Sequence, residues 1–273
     1  MSKPRADVRP PLPAASRTDA AVAGHWLLAR LGKRVLRPGG VELTRALLAR
    51  AGVADSDVVE LAPGLGRTAT EILARRPRSY VGTEGDPDAA NVVRGVLTEL
   101  GVENGDVRVA DAAATGLPDS STDVVIGEAM LTMHGDAAKH AIVAEASRVL
   151  RPGGRYGIHE LALTPDTVPD EVSTDIRRSL AQAIKVNARP LTIAEWSRLL
   201  AEHGLVVDHV ATAPMALLQS RRLVADEGLL GALRFARNVL VHRDARRRVL
   251  TMRRTFRRHR KQLAAVAIVA HKP

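Results

Sequence analysis

The 273-residue sequence contains no cysteine. That excludes a disulfide framework, thiolate zinc sites, cysteine-held iron–sulfur clusters and cysteine-nucleophile chemistry. Aromatic residues make up only 2%: Trp26, Trp196, Tyr80, Tyr156, Phe235 and Phe256. So few rings argue against a stacking platform for single-stranded nucleic acid. No apolar run approaches the ~18 residues of a membrane helix. The N-terminus is basic and Pro-rich (Pro4, Pro10, Pro11, Pro13) and has no apolar signal region, so the expectation is a cytoplasmic chain with no membrane contact. Lysine is scarce too, at six of forty basic residues, and Arg-rich, Lys-poor composition also accompanies G+C-rich coding.

What is present is 45% apolar residues, enough for a sizeable core, at a length that suits one large domain or two small ones. The formal charge is +10, and it is not evenly spread. Residues 221–261 hold fourteen Arg/Lys against Asp226, Glu227 and Asp244, so the rest of the chain is close to neutral.

Residues 1–16 read as a polar, Pro-rich tail. Residues 17–36 carry a helical pattern in Leu27, Leu28, Leu31 and Val35, broken by Pro38-Gly39-Gly40, and a second helix over 41–51 stops at Gly52. These form an N-terminal helical cap over 17–52. From 53 onward short β-prone runs alternate with helices: strands at 58–61, 80–83, 107–110, 123–126 and 155–163, with helices near 67–76, after Pro87 and at 136–150. Thr192-Ile193-Ala194-Glu195 reads as a capping box opening a helix to His203. A strand follows at 205–212, then a basic helical insertion within 213–261, then a last strand at 263–270 that suits an antiparallel edge. The fold class expected is α/β: a Rossmann-like, doubly wound, seven-stranded mixed sheet with N-terminal helices and a helical insertion before the last strand.

The first strand runs into Glu60-Leu61-Ala62-Pro63-Gly64-Leu65-Gly66-Arg67-Thr68-Ala69. Glycines there let backbone approach a ligand at the carboxyl end of a strand, where open α/β sheets bind. Gly64, Gly66 and Ala69 also fit the looser dinucleotide fingerprint, which stays open on this turn alone. Glu84 ends the second strand, 20 residues after Gly64, where a carboxylate can accept from both ribose hydroxyls. Asp111-Ala112 ends the third, where a carboxylate can accept from an adenine amine.

These elements, with Asp123-Val124-Val125 and Arg148-Val149-Leu150-Arg151-Pro152-Gly153-Gly154, resemble the class I S-adenosylmethionine-dependent methyltransferases, in the type 11/25 branch. The resemblance covers about residues 55–212. It implies S-adenosylmethionine as cofactor, with Glu60, Ala62, Gly64, Gly66 and Thr68 at its methionine part. It implies Glu84 at the ribose, Asp111 and Ala112 at the adenine, and Gly127 and Glu128 facing the reactive end. The family often has glycine where Ala62 stands, and alanine disfavours positive φ. Arg67 is implied beside the cofactor carboxylate.

Methyl displacement needs alignment and exclusion of water, and a base only where the nucleophile carries a proton. The candidates are Glu160, Glu128 and His134. His159 and Glu160 are neighbours in a strand and point to opposite faces, and Glu160 lies nearer the strand's end. The resemblance implies that the N-terminal helices, which carry Trp26 with Arg30, Lys33 and Arg34, close over the site; the alternative is a Trp packed on the domain beside a solvated basic face. The expected acceptor is a small molecule, anionic or borne on an acidic carrier protein, because the helices expected to enclose it are cationic. Nucleic acid is not expected, no metal is implied, and the chain is expected as a monomer or homodimer. The alternatives are an RNA methyltransferase using residues 221–261, a catalytically silent cofactor-binding domain, and a nicotinamide-dependent dehydrogenase.

Overall fold

The computed structural model describes residues 16–273, so the expected tail lies outside the described residues except for Ser16. Eight strands form one sheet: β1 (Asp57–Leu61), β2 (Ser79–Glu84), β3 (Gly105–Val109), β4 (Thr122–Glu128), β5 (Leu150–Leu163), β6 (Leu191–Thr192), β7 (Val206–Pro214) and β8 (Leu263–His271). Their order is β3-β2-β1-β4-β5-β8-β7, with the two-residue β6 beside β5. Strands β1 to β5 pair in parallel, and β8 runs antiparallel to both β5 and β7. This is the mixed Rossmann-like sheet expected. The strand order reverses direction between β1 and β4, which opens a crevice at their carboxyl ends.

The helices are α1 (Gly24–Arg30), α2 (Gly40–Ala51), α3 (Arg67–Leu73), α4 (Pro87–Glu99), α5 (Asp136–Val149), α6 (Asp170–Ile184), α7 (Ile193–Ala201), α8 (Ser220–Val241) and α9 (Arg243–Arg258). The capping box holds: Thr192 Oγ1 accepts from the Glu195 amide at 3.2 Å, and Glu195 Oε2 accepts from the Thr192 amide at 2.7 Å. The helix expected over 17–36 is much shorter. Gly32, at φ 100°, ends it, and the Lys33 amide closes back on the Leu28 carbonyl at 2.9 Å. An irregular strap over 31–39 follows. Helix α6 is not among the expected elements. It follows Pro169, has no side-chain cap, and shows only its spacing of Val172, Ile176, Leu180 and Ala183.

Side chains from β1, β4 and β5 pack under α5 and α7 around the fully buried Trp196, whose Nε1 donates to the Leu161 carbonyl at 3.2 Å. On the other face α3 and α4 cover β1 to β3, with Ile72, Val93 and Leu97 against Val58 and Tyr80. A third cluster joins α1, α6 and α9 to the ends of β5 and β8 through Leu28, Ile176, Leu180, Met252 and Leu263. Burying each such side chain contributes about 1.5–3 kcal/mol. This helical layer stands at the same end of the sheet as the crevice.

Candidate functional site

A cleft of about 240 Å³ sits at the carboxyl ends of β1, β2 and β4. Its floor is the turn after β1. Ala62 holds φ 51°, and Gly64 and Gly66 hold φ 56° and 69°. A Cβ placed on Gly64 would meet nothing closer than 3.9 Å, so backbone is open to the cleft there. A Cβ on Gly66 would press on Val96 at 3.0 Å, so that glycine serves the packing of α3 on α4. Ala129, after β4, also lies at positive φ, 54°. Two alanines in the left-handed region, at roughly 1–2 kcal/mol each, flank the crevice.

The buried polar groups around the cleft answer one another. Glu128, 5% exposed in its side chain, accepts from Thr44 Oγ1 at 2.7 Å, from His159 Nδ1 at 2.7 Å and from the Thr68 hydroxyl, and pairs with Arg37 Nη1 at 3.3 Å. Burial alone would raise its pKa. The Arg37 charge and the His159 and Thr68 hydrogen bonds overcome that and hold it down at about 2. Arg37 also donates to Thr68 Oγ1 at 2.7 Å, and its Nε is buried without a partner among the described residues. Glu60 accepts from the Tyr80 hydroxyl at 2.7 Å. Burial pushes its pKa up to about 8 against that bond and the Arg37 charge. Glu84 accepts from the Gly64 amide at 2.9 Å and the Asp86 amide at 3.1 Å, and burial raises its pKa.

Behind the cleft lies a small cavity of about 80 Å³, walled mainly by apolar side chains of α1, α6 and α9 with Met215 and Leu217. His25, Leu36, Ala129 and Met133 line both spaces. His25 packs on Trp26 with ring centroids 4.6 Å apart, and burial lowers its pKa to about 4. Its ring makes no hydrogen bond among the described residues. Burial also lowers the pKa of the half-exposed His134, on the cleft wall.

A methyltransferase-domain family model matches residues 58–154. An uncharacterized protein of Haemophilus influenzae is 33% identical over 252 residues, 91% of this chain and 98% of that one. The chain belongs to the class I S-adenosylmethionine-dependent methyltransferases. An uncharacterized methyltransferase-like protein of Schizosaccharomyces pombe is 28% identical over 55% of this chain and 54% of its own length. Among solved structures, a phosphoethanolamine N-methyltransferase of Haemonchus contortus superposes with TM-score 0.70 at 14% identity, covering 95% of this chain and 59% of that one. The cyclase SpnF does so with TM-score 0.69 at 14% identity, covering 93% and 97%. Geranyl diphosphate methyltransferase gives 0.60 at 18% identity, covering 85% and 78%. At such identities these likenesses show the fold.

The methyltransferase motifs fall unevenly about the cleft. Glu60, Ala62, Gly64, Thr68, Glu84, Glu128 and His134 line it, as do Trp26, Arg34 and Arg67. Asp111 and Ala112 do not, although the Asp111 charge reaches His134. Gly127 lies behind it, where a Cβ would stand 3.3 Å from the Tyr156 hydroxyl. Glu160 is fully buried. Its oxygens accept from the amides of Met130, Leu131 and Thr132 and from the Thr132 hydroxyl at 2.7–3.0 Å, so it ties down the turn after β4. His159 does point to the other face, toward Glu128 and Thr44, and is fully buried. Lys33 leaves the site to pair with Asp226 at 3.2 Å. At the cavity the basic segment presents apolar side chains. Helix α9 turns Ala245, Val249, Met252 and Phe256 inward and exposes Arg247, Arg253, Arg254, Arg257 and Arg258, since burying unpaired charges costs far more than burying an apolar face. Arg37 and His25 were missed. Each lacks a motif, and only the strap and α1 bring them to the cleft.

Proposed function

We propose that the protein binds S-adenosylmethionine in the cleft and directs its methyl group to a small organic acceptor whose apolar body fills the adjoining cavity. The observation that carries this is the shared wall of His25, Leu36, Ala129 and Met133, which lets a ligand in one space touch a ligand in the other. The residues present fit the cofactor. The cleft wall carries Glu60, Glu84 and Glu128 together with Arg34, Arg37 and Arg67, acids and bases suited to a ligand that bears both cationic groups and a carboxylate. The unpartnered Arg37 Nε, and Arg67 on the same cleft, suit the ligand's carboxylate. Glu84 accepts from the backbone amides of Gly64, Asp86 and Gly85, fewer than the about four lone-pair sites of a carboxylate, which leaves capacity for a ribose hydroxyl. We assign Asp111 and Ala112 to the rim, toward the base.

When bound, the cofactor supplies an activated methyl group on a good leaving group. The chain's residues have to hold the nucleophile in line and keep water out. Helix α1 and the strap cover the cleft, and residues 213–261 close the far side of the cavity. Glu128 and Glu160 are saturated by their donors, so Glu128 ties the strap, α2 and α3 to the sheet and Glu160 positions the turn after β4. His134 and His25 are the groups left to accept a proton when the nucleophile carries one, with His134 the better base because its pKa is less depressed.

The test is calorimetric titration with the demethylated cofactor, followed by mass spectrometry of apolar acceptor panels incubated with isotope-labelled S-adenosylmethionine. Micromolar binding and a labelled product are expected. No binding of the cofactor overturns the reading. Binding with no transfer to any acceptor would make the protein a silent cofactor-binding domain.

A further inference from the structure

The apolar cavity has a second neighbour. On the side away from the cleft, Met215, Leu217 and Phe256 also line an open groove of about 350 Å³. Its remaining lining includes Arg221, Arg253, Arg257 and Arg260, with Gln219 and Ser220 at the start of α8. None of these four arginines has a carboxylate partner among the described residues. The nearby acids are engaged elsewhere: Asp175 with Arg258, and Asp226 with Lys33. Four guanidinium groups around one groove repel one another, and an anion placed among them relieves that repulsion while accepting paired N–H donors. The cleft, the apolar cavity and the arginine groove therefore follow one another, each sharing side chains with the next.

We propose that the acceptor is an amphiphilic anion. Its carboxylate or phosphate sits on Arg221, Arg253, Arg257 and Arg260, its apolar body passes Met215, Leu217 and Phe256 into the cavity, and its reacting end reaches the wall of His25 and Met133. This rests on the assignment of the cavity to the acceptor. It also gives the basic segment a defined task at the distal end of the substrate, where its exposed arginines stand, rather than beside the methyl group.

The experiment is calorimetric titration of the full chain, without cofactor, with decyl phosphate, decanoate and 1-decanol below their aggregation limits. Both anions are expected to bind at least tenfold tighter than the alcohol, and the tighter of the two names the head group. The paired substitution Arg253→Glu and Arg257→Glu, on exposed positions, should remove that tenfold advantage and leave alcohol binding unchanged. Met252→Trp, which fills the cavity, should weaken all three probes. Titration of each variant with the demethylated cofactor checks that it is folded, and separates failure of this proposal from failure of the cofactor assignment. Equal binding of anions and alcohol, anion binding indifferent to the charge reversal, or no binding of either anion overturns the proposal.

Discussion

Around the cleft, buried polar side chains are matched against one another, donor to acceptor; the adjoining cavity is walled mainly by apolar side chains, with Glu160 and Thr132, bonded to each other, as its buried polar patch. Glu128 alone has four partners, drawn from the strap, α2, α3 and β5. The cavity wall has Leu28, Leu180, Met252 and Phe256 from α1, α6 and α9. The difference teaches where tolerance to change lies. A hydrogen-bonded buried network fails when one member is lost, because the others stay behind desolvated. An apolar wall can be recut at the cost of a cavity, so the cavity's lining tolerates change that the cleft's network does not.

The largest effect should follow from removing the charge that holds Glu128. Arg37→Met leaves that carboxylate buried and uncompensated and should cost about 3–5 kcal/mol, read by urea denaturation, with a matching loss of cofactor affinity. A cost under about 1 kcal/mol would break the comparison on its polar side. On the apolar side, Met252→Ala should cost about 2–4 kcal/mol by the same measurement, while affinity for the demethylated cofactor stays within twofold of the parent. A fall in both together would show that the two spaces are one mechanical unit.

A third measurement uses pH. Glu60 is held protonated up to about 8, above its ordinary value of 4.5, by burial. The unfolded chain loses that proton first, so this contribution to stability is full below about pH 4.5 and is lost as pH rises toward 8. The loss is at most about 1.4 kcal/mol per pH unit. The melting temperature of the parent should fall across that window relative to Glu60→Gln, whose amide does not titrate. Parallel curves would remove Glu60 from the account. Last and smallest, Ala62→Gly relieves the left-handed backbone at the turn and should stabilise the fold by about 1 kcal/mol, visible as a small rise in melting temperature. A destabilised Ala62→Gly would mean that the alanine methyl makes a packing contribution larger than its strain.

Much of the fold was legible because its signals are local. The strand runs at 58–61, 80–83 and 123–126, the capping box at Thr192 and the turn through Gly64 each lie within a few residues of their partners. Helix α6 escaped because proline and the lack of a cap hid its start, although its apolar spacing was in view. The acidic positions Glu60, Glu84 and Glu128 were legible as strand ends. The standing of Glu160 was not, because its four donors come from a turn some thirty residues away in sequence.

The sequence by itself determined the order of the strands and most helices, the family, and the end of the sheet at which the cleft opens, since strand and turn propensities act over short spans. Tertiary structure alone decided which carboxylates are spent on the protein itself, that His25 stands between two spaces, and that the arginines of 221–261 ring an outer groove while α9 turns an apolar face to the cavity. Those outcomes depend on desolvation and on contacts between residues far apart in the chain, and neither is written in any single segment of it.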